Sequence, residues 1–197
     1  MAHRPWVVYV LHHSHLDIGY TDPQPIVLDQ QLAYLDQVLD LCATTDGWPE
    51  DSRFRWYVES AWTLWMWLKS RPAGSRKLMI QRIHEGRIEV SAAPMNLHTE
   101  ACDLDELARG FEIAGILRRQ YGIPITTAMQ SDVPGQTYGF LDLLTQLGVE
   151  FLSVAHNYAG RSLPERTGKT RLQRPFYWQG PHGRLLVWYT DTPNGVY

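Results

Sequence analysis

Three histidines and two aspartates lie within the eleven residues HHSHLDIGYTD, residues 12–22, directly after a short apolar run. His13, His15 and Asp17 occupy alternate positions, which share one face when the backbone is extended. Imidazole nitrogen and carboxylate oxygen form a good donor set for zinc, and a catalytic zinc uses about three protein ligands with one position left open. A histidine packed in the core, with Asp17 forming a turn, explains this segment alone equally well.

A second acidic residue favours the metal interpretation. Asp132 lies in QSDVPG, just after a predicted strand. The same residues are also ordinary turn formers, since Asp, Pro and Gly each favour tight turns. A shared site therefore requires a fold that brings Asp132 close to His15 and Asp17.

Short apolar runs alternate with longer helical patterns along the chain. Continuous apolar or β-branched runs predict strands at residues 6–11, 54–59, 87–92, 125–129 and 150–155. Helical periodicity predicts helices from Pro25 to about Cys42, over 61–69 and 74–86, from Asp103 to about Tyr121, and over 137–148. Residues 176–190 predict a hairpin, or an insertion followed by a sixth strand, with the turn at 181–183.

This alternation predicts an α/β fold with a parallel sheet and helical crossovers. A barrel and an open doubly wound sheet both fit the pattern, and neither glycine-rich nucleotide-binding motif occurs. In either architecture the carboxyl ends of the strands meet on one rim, where sites are built. Several polar residues should gather there in addition to the first segment and Asp132: Glu59, Asn96, His98, Glu100, His156, Asn157 and Asp191.

The composition excludes several classes of protein. The 197 residues carry a net charge of −3 with no long basic run, which argues against nucleic acid and membrane surfaces as partners. The sequence contains no apolar stretch long enough to cross a bilayer and no recognisable signal peptide. Cys42 and Cys102 lie far apart in helical patterns and are expected to be thiols, which predicts a cytoplasmic location.

The motifs together resemble glycoside hydrolase family 38, the class II α-mannosidases. Residues 13–20, HSHLDIGY, are similar to the H-S-H-x-D-x-G-aromatic stretch that follows the family's first strand. FRWYVESAWTLWMW, GRIEV and AMQSDVPGQT are similar to later family segments in the same order. The chain has Tyr20 where the family usually has Trp, and it lacks the family's Phe-Gly-His-Ser segment after the nucleophile. These differences concern the choice of sugar more than the class of hydrolase.

The resemblance implies a role for each candidate residue. His15, Asp17 and Asp132 would bind Zn²⁺, and Asp132 would also be the nucleophile of a retaining glycosidase acting on α-mannosides or related glycosides. His13 would lie behind the ligands, while Tyr20 and Glu59 would bind substrate. Glu59 could instead orient a ligand, or form an ion pair with Arg55.

The implied fold is an irregular parallel (β/α) barrel of the glycoside hydrolase and deacetylase type, with residues 1–197 forming its N-terminal part. We expect the fourth metal ligand and the acid/base carboxylate beyond Tyr197, on the remainder of a longer chain, and residues 1–197 to be inactive alone. Two alternatives remain open: a metal-dependent polysaccharide deacetylase, and a non-catalytic carbohydrate-binding barrel.

Overall fold

The computed structural model describes residues 6–133, 135–156 and 174–190, which form a mixed α/β fold. The helices are α1 (Gln24–Thr44), α2 (Ala61–Ser70), α3 (Ala73–His84), α4 (Leu104–Tyr121) and α5 (Tyr138–Gln146). The strands are β1 (Trp56–Val58), β2 (Ile88–Val90), β3 (Thr127–Val133), β4 (Phe151–His156), β5 (Phe176–Gln179) and β6 (Arg184–Thr190). Short 3₁₀ turns cover Glu50–Ser52 and Thr99–Ala101.

Five of the strands run parallel and follow one another in chain order. β1 pairs with β2, and β3, β4 and β6 form a second parallel group with β5 antiparallel to β6 at its edge. Isolated parallel bridges join His12 to Trp56 and Ser91 to Thr127. The segment around His12 therefore lies beside β1, and the end of β2 lies beside the start of β3. The described residues form two small sheets and no closed barrel.

The prediction of a strand at residues 6–11 was wrong. These residues form no strand, and Trp6 and Tyr9 are 95% and 91% exposed. An apolar run predicts burial, but a strand also needs a neighbouring backbone to pair with. Among the described residues, this part of the chain pairs with a strand only at His12, which bridges Trp56. The other strands, the helices and the hairpin at residues 176–190 are confirmed, with boundaries shifted by a few residues.

Side-chain caps define where two of the helices that follow strands begin. Ser60 lies two residues after β1, accepts a hydrogen bond from the Thr63 amide and donates one to the Pro94 carbonyl oxygen at 2.5 Å. Asp103 and Glu106 form the predicted capping box of α4. The helices then bury large apolar side chains against the sheets, among them Leu64, Trp67, Met79, Leu117 and Phe140.

Both cysteines are free thiols; Cys42 is buried and Cys102 is partly exposed. No helix in the described part of the chain has both the length and the apolar character needed to cross a bilayer.

Candidate metal centre

The His13–Asp17 segment lies at the carboxyl end of β1 because the backbone pairs there. His12 bridges Trp56, and the Tyr57 amide donates to the His12 carbonyl oxygen at 2.8 Å. This pairing carries the following residues past the end of β1, beside Glu59. The predicted convergence of the first segment with later strand ends is therefore realised in the structure.

His15, Asp17 and Asp132 form a group whose ligand atoms all lie within 4.8 Å of one another. The Nε2 atom of His15 is 3.4 Å from Asp17 Oδ1 and 3.9 Å from Asp132 Oδ2. The three side chains are 21%, 33% and 21% exposed, so each of them is partly accessible to solvent. The two candidate carboxylates thus face the same ring nitrogen.

These residues fit a zinc ion in both donor type and spacing. With metal–ligand bonds of about 2.0–2.2 Å, ligand atoms of a tetrahedral zinc site lie roughly 3.4 Å apart. The distance from His15 to Asp17 already matches that spacing, and Asp132 needs a small inward shift. One imidazole and two carboxylates supply three of the ligand types that zinc accepts in proteins.

Asp132 is placed by an irregularity in β3 rather than by the turn that follows it. The pairing of β3 with β4 shifts register between Ser131 and Val133, which marks a bulge. Asp132 itself has φ 58°, in the left-handed region that a residue with a Cβ atom rarely adopts. Strained backbone of this kind is concentrated at functional sites, where it directs a side chain. The sequence analysis placed Asp132 just after the strand, whereas it lies within it.

Glu59 lies behind the group and is almost fully buried. Its side chain is 2% exposed, and it accepts hydrogen bonds from His13 Nδ1 at 2.9 Å, His15 Nδ1 at 3.0 Å and Asn96 Nδ2 at 2.5 Å. Burial opposes ionisation, but the hydrogen bonds from His13, His15 and Asn96 outweigh it and hold the pKa of Glu59 at about 2. Glu59 is therefore a carboxylate at neutral pH. These contacts favour its orienting role, and its substrate-binding role stays a prediction.

The electrostatic surroundings of His15 favour a positive charge. Burial lowers the pKa of this imidazole, but the hydrogen bond to Glu59 and the negative charges of Glu59, Asp17 and Asp132 together raise it. Three carboxylates around one imidazole attract a proton, and they attract a metal cation for the same reason. His13, which the spacing left as a possible ligand, contacts Glu59 and lies outside the group of three.

The remaining predicted residues lie in varied places. Tyr20 is 89% exposed in a bend after Gly19, and its substrate contact stays a prediction. His98 and Glu100 face each other at 3.4 Å with both side chains about half exposed. His156 is the last residue of β4. Asn157 and Asp191 lie outside the described residues.

Gln130 is a site residue that the sequence analysis missed. It is fully buried in β3, accepts from the Leu97 amide at 2.8 Å and donates to the Met95 carbonyl oxygen at 2.8 Å. It thereby fixes the loop that carries Asn96. No sequence signal marked Gln130 as buried, because the predicted strand ended at residue 129.

The comparisons with known proteins agree with this geometry. The family model described as "Glycosyl hydrolases family 38 N-terminal domain" matches residues 5–194. No curated protein sequence matches the chain.

Solved structures similar to the chain share its fold at low sequence identity. A glycosyl hydrolase family 38 protein from Enterococcus faecalis is 14% identical with a TM-score of 0.57. An α-mannosidase from Enterococcus faecalis V583 is 15% identical with a TM-score of 0.62. A 4-α-glucanotransferase from Thermococcus litoralis is 16% identical with a TM-score of 0.59.

The alignments cover nearly all of this chain but only part of each similar structure. They span 94%, 91% and 92% of this chain, respectively, but 19%, 19% and 27% of the three structures. The family model covers almost the whole chain, and the α/β fold and the ordered motifs agree with it. The chain therefore belongs to glycosyl hydrolase family 38, of which it carries the N-terminal domain.

Proposed function

We propose that this chain is part of a zinc-dependent retaining glycoside hydrolase that acts on α-mannosides or related glycosides. The observation that carries the proposal is the group formed by His15, Asp17 and Asp132, with all ligand atoms within 4.8 Å. Family membership supports a glycosidase, and the similarity to a structure described as an α-mannosidase supports the choice of sugar.

His15, Asp17 and Asp132 would hold the zinc ion. When bound, the ion would supply a positive charge that coordinates sugar hydroxyl oxygens and holds the ring in place. Asp132 is 21% exposed, and its carboxylate lies 3.9 Å from His15 Nε2. It can therefore contact both the metal and a sugar placed beside it.

Asp132 is the proposed nucleophile. Its carboxylate oxygen attacks the anomeric carbon, the bond to the leaving oxygen breaks, and a general acid protonates that oxygen. Water then cleaves the glycosyl ester, which frees the sugar with its configuration retained and restores the carboxylate. A nucleophile must be ionised, and a cation beside Asp132 favours that state.

Sugar recognition requires groups beyond the metal ligands. Tyr20 is exposed close to Asp17 in sequence and offers a flat aromatic face for a sugar ring. The parallel strands in chain order support the proposal that they form one side of a (β/α) barrel, closed by the remainder of a longer chain. That remainder would supply the general acid.

A mechanism-based label tests the proposal. The protein is incubated with a fluorinated aryl α-mannoside whose glycosyl ester hydrolyses slowly, then digested and examined by mass spectrometry. The expected result is one sugar attached to the peptide that contains Asp132, and no label after Asp132→Asn. A label on another carboxylate would contradict the nucleophile assignment. Acetate release from acetylated polysaccharide without a sugar adduct would support the deacetylase alternative instead.

A further inference from the structure

Glu59 is the centre of a buried hydrogen-bond network behind the candidate metal centre. Its Oε2 atom accepts from His13 Nδ1, and its Oε1 atom accepts from His15 Nδ1, the Leu16 amide at 3.3 Å and Asn96 Nδ2. A carboxylate can accept at both oxygens and donates nothing. Because the Glu59 carboxylate only accepts, the two imidazole nitrogens that face it donate to it, as the Leu16 amide and Asn96 do.

This network determines which nitrogen of His15 carries the proton. Because Glu59 only accepts, the His15 nitrogen facing it at 3.0 Å has to be protonated. In the neutral ring this leaves the lone pair on Nε2, which is the atom that faces Asp17 and Asp132. The ring thus has the tautomer and the orientation that a metal ligand needs.

Asn96 connects the two chain segments that carry the candidate ligands. Its Nδ2 atom donates to Glu59 and, at 3.4 Å, to the Leu16 carbonyl oxygen, between His15 and Asp17. Its Oδ1 atom accepts from the Ser131 amide at 2.8 Å, immediately before the strained Asp132. One amide side chain therefore bridges the first segment to the bulge in β3.

We propose that Glu59 and Asn96 are positioning residues of the metal centre, a role that rests on the proposed function. Glu59 sets the tautomer of His15, and Asn96 holds the His15–Asp17 segment and Asp132 at ligand distance. In this role neither residue is itself a metal ligand. Both act through the ligands that they orient.

The test measures metal binding directly, without relying on turnover. Zinc affinity is obtained by competition with a chromophoric chelator, and the ligand field is obtained from the visible absorption of the cobalt(II)-substituted protein. The variants are Glu59→Gln, which keeps the shape but removes the negative charge and one acceptor oxygen, and Asn96→Ala, which removes the bridge. Glu112→Gln, on the exposed face of α4, is the matched control.

Each positioning variant should bind zinc about 10–100-fold more weakly, as is usual when groups that orient metal ligands are lost. The cobalt spectrum should change in both variants, because the ligand geometry changes. Glu112→Gln should match the wild type in affinity and spectrum. The loss of zinc affinity in the double variant should be smaller than the product of the two single fold-losses, because both substitutions disrupt the same hydrogen-bond network.

The outcomes separate this inference from the function on which it rests. If the wild type binds no zinc or cobalt, the proposed function fails and the positioning role fails with it. If the wild type binds zinc but both variants keep its affinity and spectrum, only the positioning role is overturned. Should Glu59→Gln fail to fold, Asn96→Ala decides the question by the same two readouts.

Discussion

Two clusters of charged side chains lie at opposite ends of β1 and β2. At the amino end, buried Arg87 donates to Asp46, to Thr45 Oγ1 and to the carbonyl oxygens of Cys42 and Phe54, at 2.7–3.0 Å. We call this the Arg87 cluster. At the carboxyl end, the carboxylates of Asp17, Glu59 and Asp132 surround His15. We call this the His15 cluster.

The two clusters differ in how their charges are matched. The Arg87 cluster places one guanidinium among oxygens that accept from it, and it ties the end of α1 to the starts of β1 and β2. The His15 cluster gathers three negative groups around one imidazole, and like charges at such distances repel each other. A matched cluster stabilises the fold, whereas a cluster rich in negative charge is stabilised by a bound cation. The difference therefore separates a structural role from a functional one.

The largest effect is expected from Asp132→Asn, which removes the proposed nucleophile and a metal ligand while keeping the side-chain shape. In the full-length protein we expect kcat on an aryl α-mannoside to fall about 10⁴-fold, as when a group essential to the chemistry is deleted. The control is Asp105→Asn, whose side chain is 73% exposed on α4 and which should leave kcat unchanged. A variant of Asp132 that keeps a large part of the activity would break the assignment.

Arg87→Ala should separate stability from metal binding. It leaves buried oxygens without their donor, so the free energy of unfolding in urea should fall by about 3 kcal/mol. Zinc affinity of the folded variant should not change, because the Arg87 cluster lies at the other end of the strands. Arg109→Ala, at a 71% exposed ion pair, should change stability by less than about 0.5 kcal/mol. Weaker zinc binding by Arg87→Ala would show that the two clusters are coupled.

Removing zinc should lower stability through the His15 cluster alone. Free zinc at a hundred times its Kd should stabilise the protein by about 2.7 kcal/mol, seen as a higher Tm that EDTA reverses. Asp17→Ala should lose most of this shift, and Arg109→Ala should keep it. An equal zinc-dependent shift in Asp17→Ala would place the binding elsewhere on the protein.

The smallest expected effect is a gain in the stability of the metal-free protein rather than a loss. In EDTA, Asp17→Asn removes one of the facing negative charges, so the metal-free protein should become more stable by about 0.5 kcal/mol. The same variant should bind zinc more weakly. Asp40→Asn, at an exposed position of α1, controls for the general effect of losing one negative charge. A loss of stability in EDTA would mean that Asp17 is a structural residue.

The sequence was sufficient to predict most elements and the convergence of the candidate site residues. Helical periodicity, the capping box at Asp103 and Glu106, and the turn in the β5–β6 hairpin are local signals, and each is confirmed. The alternation of strands and helices also predicted that His15, Asp17 and Asp132 would converge, because parallel strands end on one rim.

The features that the sequence did not predict depend on long-range contacts. The strand predicted at residues 6–11 did not form, because a strand needs a neighbouring backbone to pair with and periodicity does not reveal one. The bulge at Asp132 and the bridge from Asn96 to Ser131 depend on pairing between distant segments. Glu59 was predicted to bind substrate or to orient a ligand, but the four groups that contact its carboxylate come from residues far from it in the chain. Local patterns thus identified the groups, while tertiary contacts defined how they are held.

The central claim is that the His15 cluster holds a zinc ion. Crystals of the protein grown with zinc allow an anomalous difference map to be measured on both sides of the zinc absorption edge. We predict one peak within about 2.0–2.2 Å of His15 Nε2 and of a carboxylate oxygen of both Asp17 and Asp132. The absence of a peak there, or zinc bound only by other residues, would contradict the account.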